Sequence, residues 1–144
     1  MLNLIYGLFK SPMNQRFFDK YITELCQDIA LKNNRYAHRQ RHACIITYKK
    51  HILSSAININ LTNDFTQKYN SLKGIHAESL AIMRALHKNY SIIPLSELWV
   101  CRVGKYGDLL LSKPCSMCMQ IIKSFGIKSI HYTLNNGLWH KETS

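Results

Sequence analysis

Acidic residues are scarce in this chain: 8 Asp and Glu stand against 19 Lys and Arg, a formal net charge of +11 over 144 residues. The imbalance argues against cationic partners and for anionic ones, among them nucleic acids, nucleotides and acidic surfaces. Solubility and codon bias account for the same balance, in keeping with abundant isoleucine and very little valine. Proline and glycine are also few, 3 and 6, so no linker rich in them divides the chain, and neither an internal repeat nor a low-complexity tract occurs. No apolar run is long enough to span a bilayer, which argues against a membrane protein. The apolar start "MLNLIYGLF" has no basic leader and no small-residue cleavage site, so a signal peptide is not expected. Residues 1–13 are expected to be a loose segment or to pack on the rest. Five cysteines, an odd number with no leader, argue against a disulfide framework and for a reducing, cytoplasmic compartment.

What is present suggests one globular domain, residues 1–144, with 47% hydrophobic content and enough length to bury a core. Phe17, Phe18, Tyr21, Ile22, Leu25, Ile29 and Ala30 mark one face of a helix between Asn14 and Asn33. The runs "ACIITY" and "HILSSAI" read as two strands joined by Lys49-Lys50, with His51 assigned to the turn. Residues 60–73 are polar and Asn-rich, a loop long enough to be functional. A helix is predicted from Gly74 to Asn89, then a strand at "ELWVCRV", a turn at "GKYGD" and the segment "LLLS". Pro114 is expected to open a helix that Gly126 stops. The strand "IKSIHYTL" follows, and Asn136-Gly137 predicts a hairpin in which Ile130–Leu134 pairs with Leu138–Lys141. The strand–helix–strand from Leu98 to Tyr132 should be a right-handed parallel unit. The whole is an α/β chain with a mixed sheet.

Chemistry concentrates at two predicted helix starts. One opens with His76 and Glu78, the other with Pro114-Cys115-Ser116-Met117-Cys118. Thiolates three apart in a first turn share a face near the positive end of the helix dipole, which stabilises anions. One imidazole and two thiolates fill three positions of a tetrahedral zinc and leave the fourth for water, as catalytic zinc sites do. This donor set favours zinc over magnesium or calcium, which prefer oxygen. Glu78 need not bind the metal and can move protons beside it. Taken singly, His-x-Glu is an ordinary polar helix start, and Pro-Cys-x-x-Cys is equally a redox pair or half a structural zinc site. Cys26, Cys44 and Cys101 sit at periodic apolar positions and read as buried thiols. His42, His87, His131 and His140 read as structural or surface residues.

His76-Ala77-Glu78 followed by Pro114-Cys115-Ser116-Met117-Cys118 resembles the signature of the cytidine/deoxycytidylate deaminase superfamily, the zinc-dependent nucleobase deaminases. The resemblance runs from about Arg41 to Tyr132. It implies a three-layer α/β/α fold with a mixed sheet of about five strands, a Zn2+ ion held by His76, Cys115 and Cys118, and Glu78 as the catalytic proton carrier. "HACIITYKKHILSSAIN" resembles the first hairpin of the family, which normally ends Gly-x-Asn. Here Ala56-Ile57-Asn58 stands in that place, and the resemblance implies that Asn58 binds substrate. The Ala77 amide is a further candidate for binding the base. Arg39 and Arg41, near the start of the hairpin, are candidates for a phosphate.

The implied reaction is hydrolytic deamination of a cytosine nucleoside or nucleotide. The alternatives are a polynucleotide deaminase, acting on transfer RNA adenosine or single-stranded cytosine, and a zinc-stabilised nucleotide-binding protein without turnover. Met117 between the cysteines resembles the transfer RNA adenosine deaminases. Expected partners are a small-molecule nucleoside or nucleotide, with nucleic acid admitted by the charge, a homo-oligomer also admitted, and no membrane.

Overall fold

The computed structural model describes residues 14–33, 41–59 and 74–143. Arg39, the segment 1–13 and the loop 60–73 lie outside the described residues. Helix α1 spans Gln15–Leu31, and Asn14 caps it by accepting from the Arg16 N–H. Strands β1 (Arg41–Tyr48) and β2 (His51–Ile57) form an antiparallel hairpin. His51 belongs to the strand rather than the turn, because it pairs with Tyr48. The turn is Lys49-Lys50 alone, with φ of 45° and 64°, the left-handed pair that a two-residue hairpin needs and that matches strand twist.

Helix α2 spans Ala77–Leu86 and is followed by a 3-10 helix, Tyr90–Leu95, where the sequence predicted continuous helix to Asn89. The chain then enters β3 (Glu97–Val103), the two-residue β4 (Leu109–Leu110), α3 (Ser116–Ser124), β5 (Ser129–Thr133) and β6 (Trp139–Thr143). Helix α3 stops at Gly126, whose φ of 78° suits a residue without a side chain.

Among the described residues the strands form one mixed sheet in the order β2-β1-β3-β5-β6, with β4 on the end of β3. The β3–β5 pair is parallel, as predicted, and the others are antiparallel. The final hairpin is present and runs further than predicted, to Thr143. Its loop has three residues, Asn135 to Gly137, closed by Leu134 N–H to Leu138 C=O at 2.8 Å, with Gly137 at φ 82°.

Side-chain alternation decides the layers. On one face, Ala43, Ile45, Trp99, Cys101 and Val103 pack on Phe18, Ile22, Cys26 and Ala30 of α1. On the other, Cys44, Ile46, Leu98, Val100 and Ile130 pack on Ala81, Ile82 and Ala85 of α2 and Ile122 of α3. Strands buried on both faces read as continuous apolar runs, and the result is the expected three-layer α/β/α arrangement. The Cys26, Cys44 and Cys101 thiols are free and buried, as predicted.

Candidate active site

One backbone device brings the start of α2 to the end of β2. Ile59 and Ile75 form an antiparallel bridge, with N–H···O=C distances of 3.0 and 2.8 Å. In that register the next outward positions are Asn58 and His76. The bridge also holds Ile75 extended, so α2 begins at Ala77 rather than Gly74, and His76 becomes its N-cap residue. At the second helix the start likewise shifts. Pro114 precedes the helix, Cys115 is the N-cap, and its Sγ accepts from the Cys118 N–H at 3.5 Å. Both helices therefore begin on a candidate metal ligand.

The three predicted ligands converge. His76 Nδ1 lies 3.2 Å from Cys118 Sγ and 3.6 Å from Cys115 Sγ. All three ligand atoms fall within 4.8 Å of one another. Zinc bonds of about 2.0 Å to nitrogen and about 2.3 Å to sulfur, at a tetrahedral angle, put such atoms about 3.5 Å apart. The observed nitrogen–sulfur distances lie on either side of that separation, so the residues fit a zinc ion bound through Nδ1 and the two thiolates. His76 and Cys115 are exposed while Cys118 is buried, so the group opens to solvent on one side.

Burial dominates the electrostatics of the group. Burial pushes the Glu78 carboxyl up from its ordinary range, against hydrogen bonding to Cys118 and its own backbone. Burial also lifts the Cys118 thiol far above the usual thiol range, with the neighbouring Glu78 charge adding to the effect. Both shifts favour the neutral forms, and the thiolate that a metal binds forms here only with a cation beside it. Glu78 is only 5% exposed, and it sits in the first turn of α2. Ser79 Oγ lies 3.8 Å from Cys118 Sγ, a contact the sequence gave no reason to expect.

The candidate substrate groups have different surroundings. Ala77 is buried, and its amide belongs to the first-turn N–H groups that a helix leaves without an internal acceptor. Asn58 Oδ1 accepts from the His42 N–H at 2.9 Å and from Asn33 Nδ2 at 3.1 Å. Asn33, at the end of α1, is buried and was not singled out in the sequence. The Arg41 guanidinium donates to Leu31 O at 3.1 Å and to Gly104 O at 2.6 Å. It ties the last turn of α1 to the β3–β4 turn, a structural task that its place in a basic run did not suggest. Met117, between the two cysteines, is 55% exposed.

The family model for the cytidine and deoxycytidylate deaminase zinc-binding region matches residues 17–134, and the chain belongs to that family. No curated protein matches the sequence. Among solved structures, the chain is similar to the apo dCMP deaminase of cyanophage S-TIM5, with 21% identity, a TM-score of 0.56, and 85% of this chain and 86% of that chain covered. The same phage enzyme in complex with dCMP and dUMP gives 21% identity and a TM-score of 0.53, covering 83% and 82%. A structure from work on A-to-I editing by tRNA deaminases at the wobble position gives 18% identity and a TM-score of 0.57, covering 81% and 77%. These likenesses establish the cytidine-deaminase-like fold.

Proposed function

We propose that the chain is a zinc-dependent hydrolytic deaminase of a cytosine nucleoside or nucleotide, converting the base to uracil and releasing ammonia. The observation that carries this reading is the convergence of His76, Cys115 and Cys118 at two helix starts, with the buried Glu78 carboxyl beside Cys118. A zinc ion held by those three residues would supply Lewis acidity, making water acidic near neutral pH. Glu78 takes a proton from that water and delivers it to the ring nitrogen beside the amine-bearing carbon, which makes the carbon electrophilic. The water oxygen bonds to that carbon, and Glu78 takes the second proton of that oxygen and hands it to the amine. The C–N bond breaks as the carbonyl forms, the first proton stays on the ring nitrogen, ammonia leaves, and the carboxyl returns to its starting state. Burial suits this role, since it brings the carboxyl pKa nearer to the working pH.

Binding is assigned to the groups around this centre. The Ala77 amide donates to the base. Asn58, whose Oδ1 accepts from the His42 N–H and from Asn33 Nδ2, is the proposed side-chain contact for the substrate. Arg39 and Arg41 are the proposed phosphate partners of a nucleotide, with Arg41 also bound to two backbone carbonyls.

A polynucleotide substrate is the second reading, favoured by the net charge of +11 and by the exposed Met117 beside the ligands. A binding protein without turnover would have no use for a buried carboxylate at Glu78. Ammonia release measured on cytidine, deoxycytidylate and single-stranded oligonucleotides separates the three. Release from the first or second supports the proposal, release from oligonucleotides alone supports the second reading, and release from none of them sinks both.

A further inference from the structure

The parallel ladder between β3 and β5 ends at Val100 and Tyr132. Beyond that point β3 continues with β4, through the Arg102–Leu110 and Val103–Leu109 pairs. The sheet therefore forks, and the segment 110–112 returns into the fork before it runs on to the metal ligand Cys115. Backbone groups at a fork lose their ladder partners and must be satisfied in another way.

Ser112 supplies the replacement. Its Oγ lies 2.8 Å from Val100 O and accepts the Thr133 N–H at 2.8 Å, while its own N–H donates to Thr133 O at 2.9 Å. Thr133 Oγ1 lies 2.5 Å from Leu110 O and 2.8 Å from Ser112 Oγ. Two hydroxyl protons thus face three oxygen contacts, and the Thr133 proton is divided between Leu110 O and Ser112 Oγ. Both residues are buried, Thr133 at 0% and Ser112 at 3% exposure. A second tie holds the neighbouring residue, where the Leu111 N–H donates to Asn135 Oδ1 at 2.8 Å. Between this clasp and Cys115 stand only Lys113 and Pro114, and the proline ring restricts the backbone of that short span.

We infer that the Ser112–Thr133 hydroxyl pair is a positioning element for the metal centre, fixing where the Cys115 thiol sits relative to His76 and Cys118. The inference rests on the zinc reading of those three residues. Neither hydroxyl touches the metal ligands; each acts through the backbone that leads to Cys115. Thr133→Val removes a hydroxyl at nearly constant shape, and Thr133→Ser restores it.

The test is zinc affinity by chelator competition, read together with the thiolate-to-metal absorption of the cobalt-substituted protein. Wild type should take up one equivalent of zinc. Thr133→Val and Ser112→Ala should weaken zinc about ten-fold, the low end of the loss seen when groups bonded directly to metal ligands are removed, since these act one step further out. Both variants should shift the cobalt absorption. Thr133→Ser should stay close to wild type in both. If Ser112→Ala fails to fold, the Val and Ser variants at 133 decide alone. Lower melting temperatures with unchanged zinc affinity and cobalt spectrum would overturn the inference and leave the pair a packing feature. Failure of the wild-type protein itself to bind zinc would remove the metal reading, and the inference with it, before any variant is compared.

Discussion

At the scale of single residues, Glu78 separates chemistry from structure. It is buried beside Cys118 without being one of the three converging ligands. Glu78→Gln should therefore keep zinc and the melting temperature while turnover falls by about 10²–10⁴, the usual worth of a positioned proton carrier. Metal analysis and ammonia release on one preparation check both halves. Retention of most activity would reject the assigned role. His76, Glu78, Cys115 and Cys118 were legible because their order and spacing have few other uses. Asn33, Ser112 and Thr133 were not, since a buried polar residue that serves distant backbone groups leaves no local pattern. Glu97 makes a second residue-scale test. Its pKa is lowered chiefly by the hydrogen bond from His131 Nε2 at 3.1 Å, against an opposing burial effect, with the Lys141 charge assisting. A depressed carboxylate pKa contributes stability that is complete above the ordinary value and is lost as pH falls through the lowered one. Denaturant unfolding across acid pH should show Glu97→Gln losing less stability over that window than wild type. Parallel pH curves for the two proteins would contradict it.

At the scale of elements, the two ligand helices share one device: each begins on a ligand residue at the N-cap. Sequence periodicity placed both helices correctly but set their starts too early, because the Ile59–Ile75 bridge, a long-range contact, holds α2 back. A metal at this point would cross-link the two helix starts. Chelation should then lower the melting temperature, and zinc should restore it, with stability rising as the logarithm of free metal. An unchanged melting temperature would argue against a cross-link. The far end of α3 offers a test independent of metal. A Cβ on Gly126 would sit 3.2 Å from Pro94 Cβ, at a φ of 78°. Gly126→Ala should cost about 1–2 kcal/mol from the left-handed backbone alone, read from urea unfolding. The 3-10 turn carrying Pro94 was not foreseen, since "YSIIPL" has no periodicity that separates it from a loop. The final hairpin was foreseen from Asn136-Gly137, and its three-residue loop lies between the predicted ends Leu134 and Leu138.

At the scale of the whole molecule, the choice between nucleotide and polymer is a question about charge. Eight acidic residues cannot neutralise nineteen basic ones, and some of those are already engaged. Lys32 pairs with Asp28, Lys113 with Glu142 and Lys141 with Glu97, while Arg41 holds two carbonyls. The remaining field draws anionic substrates of any size, so net charge alone does not select between them. The number of phosphates met at once does select. A mononucleotide presents one phosphate, and one or two cations suffice for it. A polymer engages many, and each neutralised phosphate of a single strand adds about −0.7 to the slope of log affinity against log salt. Under the proposed reading, KM for deoxycytidylate should rise only modestly between low and physiological salt, and oligonucleotide binding should stay weak throughout. Arg41→Ala should raise KM for deoxycytidylate more than for cytidine. It should also cost about 1–3 kcal/mol of stability through its lost charged hydrogen bonds, so KM must be compared on folded protein. A steep salt slope for oligonucleotides, with deamination in the polymer and none of free deoxycytidylate, would transfer the assignment to the polynucleotide reading, because only many simultaneous phosphate contacts produce that slope.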